Sequence, residues 1–162
     1  MLKKEQQDKL KLFLESVNQV THALSPEVRE PLYDLGLIII EPDSKAKTKD
    51  ILSVFPDGKA EILEYESKND ASFAEKMADL INDKRWVFIE LNGDPGHNLI
   101  NQLRLLSEQN VMQLLDYKGS EIYNLKLPLE SRIVVVVKRD VLEKEISYPN
   151  FLNIFGPVLS LS

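Results

Sequence analysis

The sequence predicts an α/β protein with a doubly wound, mostly parallel five-stranded sheet and an N-terminal helical extension. Short apolar runs alternate with helix-like segments from residue 35 onward, which is the order that a parallel sheet covered by helices requires. The runs Leu35–Ile40 and Ile133–Val137 contain no polar residue, as in strands that are buried on both faces. We therefore expect one domain, with residues 1–34 as a helical extension packed on the core and residues 35–162 as the α/β core.

Composition excludes several classes of protein. The chain has 162 residues, 43% of them hydrophobic, which is enough for one sizeable core. Its net charge of −6 does not favour nucleic acid or an anionic membrane as a partner. There is no cysteine for a disulfide, a thiolate metal site or a nucleophile. Without the apolar core of a signal peptide or a bilayer-spanning run, we expect a cytoplasmic protein.

The first predicted element is an amphipathic helix over residues 3–24, because its apolar residues recur with helical spacing. We expect this helix to pack on its own domain, with a docking or coiled-coil surface as the alternative. Ser25-Pro26 then caps a second, short helix at Val28–Tyr33, since serine can accept free amide groups and proline suits the first turn. The apolar positions of the first helix are Leu10, Phe13, Leu14, Val17 and Val20.

The remaining elements follow from the same patterns. Asp57-Gly58 is a turn signal, and Lys118-Gly119 lies between two strand-like runs and predicts a hairpin. Helices are predicted where apolar residues recur three and four positions apart. In chain order, we predict a strand at Leu37–Ile40, a helix at Lys47–Phe55, a strand at Ala60–Tyr65, a helix at Ala71–Asp83, a strand at Trp86–Leu91, a helix at Asn98–Gln109, a hairpin at Leu114–Leu125, a strand at Ile133–Val137, short helices at Val141–Ile146 and Pro149–Phe155, and a strand at Val158–Leu161.

The strand order can also be predicted in part. The runs at Leu37, Val87 and Ile133 lack polar alternation, so we expect these three strands side by side in the centre of the sheet. The strand from Ala60 should lie at an edge. Ligands of open α/β sheets bind at the carboxyl ends of the strands, which directs attention to the residues that follow each run.

The residues after the first strand have the register of a phosphate-binding P-loop. In the motif G-x-x-x-x-G-K-[ST], glycines let backbone amides surround the phosphates, lysine reaches the outer phosphates and the hydroxyl holds Mg²⁺. Lys47 and Thr48 match the last two positions. Glu41 and Ala46 replace the two glycines, where a carboxylate repels phosphate and a Cβ disfavours positive φ.

The third strand carries a second motif. Val87–Asn92 resembles the Walker B strand of AAA+ ATPases, in particular the MoxR, midasin, dynein and McrB branch. In this resemblance Glu90 matches the catalytic glutamate and Asn92 the following asparagine. Ile89 occupies the place of the aspartate that positions Mg²⁺. The resemblance implies a P-loop NTPase-like fold with an incomplete metal site.

Four further segments resemble the same family, in the same order, so that the resemblance covers residues 35–161. The segments are Leu99–Leu103 with Leu105–Glu108, similar to a family helix; the 114–125 hairpin; Ser131–Val137, similar to the sensor 1 strand; and Pro149–Phe155, similar to a proline-led segment ending in Asn-Arg-Phe.

The resemblance implies that hydrolysis has been lost. Lys138 or Arg139 stands where the sensor 1 strand should end in asparagine, and Ile154 stands where the arginine finger would be. No helical lid follows within the sequence, up to Ser162. P-loop ATPases work mainly by positioning and charge stabilisation, so each departure removes part of the rate. The degenerate nucleotide site comprises Glu41, Ala46, Lys47, Thr48, Ile89, Glu90 and Asn92.

We therefore expect a catalytically inactive AAA+-like protein that serves as a protein-interaction or scaffold module. It would carry no catalytic residue and no bound cofactor or metal. Its partner would be a protein, such as an AAA+ ring or a larger complex, docked through the nucleotide-free face and the N-terminal helix. Self-association is left open.

Two alternatives keep a ligand at the sheet edge. In a weak nucleotide-binding regulatory domain, Lys47 would contact phosphate of ATP, Thr48 a Mg²⁺ ion and Glu90 a water; if no nucleotide binds, Lys47 and Glu90 could instead form an ion pair there. In a Mg²⁺-dependent hydrolase, Asp43, Glu90 and Asp94 would form an acidic cluster. His22 and His97 lack the spacing of a zinc site, and no GxSxG elbow supports a serine nucleophile.

Overall fold

The computed structural model describes residues 1–19, 34–56, 58–65, 73, 76–80, 83, 86–109, 111–115, 122–126, 131–148 and 150–162. The second short helix predicted at residues 28–33 lies outside these residues. The helices are α1 (Lys4–Asn18), α2 (Thr48–Ile51), α3 (Gly96–Gln109) and α4 (Arg139–Lys144), and the strands are β1 (Gly36–Ile40), β2 (Ala60–Tyr65), β3 (Trp86–Leu91), β4 (Val111–Leu115), β5 (Ile122–Lys126), β6 (Arg132–Lys138) and β7 (Val158–Leu161).

Five of the strands form one parallel sheet in the order β2-β3-β6-β1-β7. This confirms the predicted doubly wound α/β class and the number of strands. The three runs without polar alternation, β3, β6 and β1, are the central strands, and β2 is at an edge, as predicted. The register pairs Ile40 with Lys138 and with Leu161, so the residues that follow β1 and β6 emerge side by side.

Alternate residues of the central strands enter two separate apolar clusters, one on each face of the sheet. In β1, Leu37 and Ile39 belong to the cluster that contains α3. Ile38 and Ile40 belong to the cluster that contains α1. Both faces are therefore covered, which explains why these strands have no polar alternation.

Helix α1 covers one face and ends at Asn18, where Gln19 is its C-cap with an extended backbone; the predicted span from Val20 onward lies outside the described residues. Four of its five predicted apolar residues, Leu10, Phe13, Leu14 and Val17, are buried. The helix approaches the sheet most closely at Gly36. A Cβ placed there would lie 2.7 Å from Phe13 Cζ and 2.7 Å from Val17 Cγ2. Glycine thus allows α1 to sit directly on the start of β1.

Several other predicted elements are present with changed bounds. The helix predicted at 47–55 is α2 followed by a 3-10 turn at Leu52–Val54, and the short helix predicted at 149–155 is a 3-10 turn at Phe151–Ile154. The predicted hairpin is the antiparallel pair β4 and β5, whose turn at 118–119 lies outside the described residues. In the helix predicted at 71–83, the described residues 73 and 76–80 are helical. Among the described residues, no helix has the length and apolarity needed to cross a membrane.

Candidate functional site

A cavity of about 700 Å³ opens at the carboxyl edge of the sheet, above the ends of β1, β3 and β6. This is the edge at which open α/β sheets bind ligands, and the volume is within the usual range for a ligand site. Six of the seven residues of the predicted degenerate site line it, whereas Ile89 does not. The six are Glu41, Ala46, Lys47, Thr48, Glu90 and Asn92.

The loop between β1 and α2 uses its own oxygen atoms to bond its backbone amides. The Ser44 amide donates to the Glu41 carbonyl at 3.0 Å, and the Ala46 amide donates to Ser44 Oγ at 3.1 Å. The Lys47 amide donates to Asp50 Oδ2 at 2.9 Å, and this bond lowers the pKa of the Asp50 carboxyl. A phosphate-binding loop needs such amides free to face an anion. Here three of them are bonded within the loop and the first turn of α2.

Glu41, at the first glycine position of the motif, is fixed by the strands on either side. Its carboxylate accepts from Arg139 Nη2 at 2.6 Å and from Arg139 Nε at 3.2 Å, and Ser160 Oγ donates to it at 2.5 Å. The sheet register causes this arrangement, because Arg139 follows β6 and Ser160 belongs to β7, the two neighbours of β1. The Arg139 guanidinium, helped by Ser160, lowers the pKa of Glu41, and Glu41 raises the pKa of Arg139.

A second polar cluster joins the loop to β3. Thr48 Oγ1, which is almost fully buried, donates a very short hydrogen bond to Glu90 Oε2. Asn92 Nδ2 lies 3.4 Å from Glu90 Oε1. The suggested ion pair between Lys47 and Glu90 is not formed, because the Thr48 hydroxyl takes one carboxylate oxygen and the lysine side chain is exposed. Arg139 and Glu41 do form an ion pair at this edge of the sheet.

Ile89, which the resemblance aligns with the metal-positioning aspartate, does not reach the cavity. That side chain is fully buried in the apolar cluster on the α3 face, away from the cavity. In P-loop NTPases the acidic residue of the third strand and the loop hydroxyl hold Mg²⁺ together. Glu90 is the acidic residue of β3 that contacts Thr48 here. Leu91, the next residue, is buried and cannot supply a second carboxylate.

The remaining predicted site residues are not brought together. Asp94 accepts from the Gly96 amide at 3.1 Å and caps α3, so its carboxylate is used locally. Among the described residues, no three histidine, aspartate or glutamate side chains are placed to hold a metal ion. The acidic cluster of Asp43, Glu90 and Asp94 is therefore absent from the described structure. His97 packs edge-on against the Tyr148 ring, and Ile154, at the arginine finger position, is a core residue. His22 lies outside the described residues.

Sequence reasoning missed the residues that close the loop. The resemblance assigns Arg139 only to the place of the sensor asparagine, and no sequence pattern above predicts a role for Ser44, Asp50 or Ser160. The spacing of Asp50, three residues after Lys47, is a recognisable signal for a side chain that bonds the start of a helix. Ser160 gives no such signal, because its contact with Glu41 depends on the register of β7 against β1.

The arrangement can therefore present charged side chains around an open cavity, but the loop amides and the Thr48 hydroxyl, the groups that a P-loop uses for phosphate and metal, are bonded within the protein. Comparison with known proteins adds no identification. No protein-family model matches the sequence, and no curated protein matches it significantly.

Proposed function

We propose that the chain is a catalytically inactive AAA+-like module that acts in protein interaction or scaffolding. The observation that supports it is the internal bonding of the groups a nucleotide would need. Ser44 and Asp50 bond the loop amides, Glu90 bonds the Thr48 hydroxyl, and Arg139 holds Glu41 ionised at the first position of the loop.

Nucleotide binding would have to reverse each of these interactions. A phosphate at the loop would compete with the Ser44 and Asp50 oxygens, each bond contributing about 1 kcal/mol net. It would also approach the ionised Glu41 carboxylate, which repels it. A Mg²⁺ ion at Thr48 could still be met by Glu90, but the third strand supplies no second acid to orient an attacking water. The geometry thus opposes hydrolysis more strongly than it opposes binding.

The packing of α1 on the sheet limits which surfaces a protein partner could contact. The apolar face of α1 is buried against β1, β6 and β7, so this face is not a docking surface. The proposed contact surface is the cavity face at the carboxyl edge of the sheet, together with the exposed side of α1. The proposed setting is cytoplasmic, and the proposed partner is a protein, such as an AAA+ ring or a larger complex.

The alternative function is weak nucleotide binding in a regulatory domain. It is favoured by the size of the cavity and by the exposed Lys47 in its lining. A thermal-shift titration with Mg·ATP separates the two functions. Ligand at one hundred times its dissociation constant would add about 2.7 kcal/mol to the free energy of unfolding, whereas we expect no shift. A shift that disappears in Lys47→Ala would establish nucleotide binding and overturn the proposed function.

A further inference from the structure

Three lysines surround the mouth of the cavity. Lys45 and Lys47 lie in the loop after β1, and Lys138 ends β6, directly beside Ile40 of β1. All three side chains are exposed. Within the described part of the chain, none of them forms an ion pair with a carboxylate. They are therefore available to a group outside the protein.

Unlike the three lysines, the carboxylates Glu41 and Glu90 of the cavity are bonded to other residues of the protein. Glu41 is bonded to Arg139 and Ser160, and Glu90 accepts from Thr48 with Asn92 beside it. These negative charges face donors within the protein, whereas the lysine charges face solvent. The lining contains three lysines and three carboxylates, Glu41, Glu90 and Asp140, on a chain of net charge −6. Arg139, which is not part of the lining, pairs with Glu41. The charges that face solvent at the cavity mouth are therefore the three lysines and the exposed Asp140.

We infer that this cavity mouth binds an acidic segment of a partner protein, with Lys45, Lys47 and Lys138 contacting its carboxylates. The inference rests on the proposed function and specifies the partner of the same site. Lysine ammonium groups on flexible stems suit carboxylates presented at variable positions, because they act as point charges without a fixed geometry. The exposed Asn92 amide, beside the same cavity, can add a neutral donor.

Carboxylates fit this site better than phosphates. A phosphate group carries up to two charges and is bound through converging backbone amides, which here are bonded to Ser44 and Asp50. A nucleic acid would extend well beyond three lysines onto a surface of net negative charge.

Fluorescence anisotropy with a labelled hexaglutamate peptide tests the inference at low ionic strength. The parent protein should bind this peptide and should not bind the uncharged hexaglutamine peptide. The variant with Lys45→Gln, Lys47→Gln and Lys138→Gln should bind hexaglutamate about tenfold more weakly, because three charge contacts are lost. Added salt should weaken binding in the same direction.

A matched variant controls for net charge. Lys11→Gln, Lys59→Gln and Lys76→Gln remove three exposed lysines that do not line the cavity. This control should bind hexaglutamate like the parent. An equal loss of affinity in both triple variants would show nonspecific attraction and overturn the inference.

Two further results would also overturn it. Failure of the parent to bind hexaglutamate would reject the acidic partner while leaving an inactive module possible, whereas Mg·ATP binding would reject the proposed function itself. Unlabelled hexaglutamate and tripolyphosphate can each be titrated as competitors of the labelled peptide. If tripolyphosphate displaces the peptide at a much lower concentration than hexaglutamate does, the site is a phosphate site instead.

Discussion

Replacing Phe13 by alanine should strongly destabilise the protein, because this ring joins the N-terminal helix to the sheet. Phe13 is 6% exposed and belongs to the apolar cluster beneath α1. Deleting a buried phenylalanine costs about 3–5 kcal/mol, and in a chain of this length each kcal/mol lowers Tm by about 2–4 °C. The expected loss is therefore about 6–20 °C.

The close approach at Gly36 gives a second, coupled prediction. Gly36→Ala would place its Cβ 2.7 Å from Phe13 Cζ and from Val17 Cγ2, so we expect overpacking to cost about 1–3 kcal/mol. In the Phe13→Ala background the ring contact is gone and only the Val17 contact remains. The cost of Gly36→Ala should then be smaller, which a double-mutant cycle measures as a coupling free energy.

The assay is thermal melting of the parent, both single variants and the double variant, followed by circular dichroism. Leu12→Ala is the matched control, since Leu12 lies in the same helix but is 65% exposed. Its stability should change by less than about 0.5 kcal/mol. An unchanged Tm for Phe13→Ala, or strictly additive effects in the cycle, would refute the packing of α1 on β1.

Three further predictions concern the site. Arg139→Gln should lower stability at neutral pH, because the lowered pKa of Glu41 stabilises the fold only while Glu41 is ionised. Melting over a pH series should show this difference shrinking as pH falls from 4.5, the ordinary pKa of Glu41, and vanishing once the pH is below the lowered pKa of the folded state; a difference independent of pH would contradict this. Ile89→Asp should destabilise by at least about 3 kcal/mol in a urea titration, since it buries a charge in the core; near-parental stability would place that position at the cavity instead. Combining Glu41→Gly with Ala46→Gly should strengthen Mg·ATP binding in isothermal titration if the loop keeps an ancestral P-loop register, and a folded variant without any gain would argue against that ancestry.

The fold was largely predictable from the sequence because the strands give strong local signals. The central runs at β1, β3 and β6 are apolar at nearly every position, and the sequence Asp57-Gly58 predicts a turn before β2, where Gly58 has a positive φ. Helix ends were less predictable. In the short helix after the loop, the backbone changes from α-helix to 3-10 helix at Leu52. The helix propensities of the residues do not distinguish these two conformations.

The site was predictable only in part, because its contacts depend on how the strands align with one another and on which face of the sheet each side chain lies. The rule that ligands bind at the carboxyl ends of parallel strands correctly brought Thr48 and Glu90 to one cavity. It did not show that Glu90 rather than Ile89 faces Thr48, because a strand buried on both faces gives no polar alternation that assigns a side chain to a face. The contacts of Glu41 depend on the alignment of three strands that are distant in sequence.

The central claim is that this cavity does not hydrolyse ATP, and a phosphate-release assay tests it most directly. The parent protein with Mg·ATP should release no phosphate above the rate in buffer, and Glu90→Gln should give the same result, because this carboxylate is bonded to Thr48 and no second acid follows it on β3. Steady phosphate release by the parent that Glu90→Gln abolishes would contradict the account and identify a working ATPase.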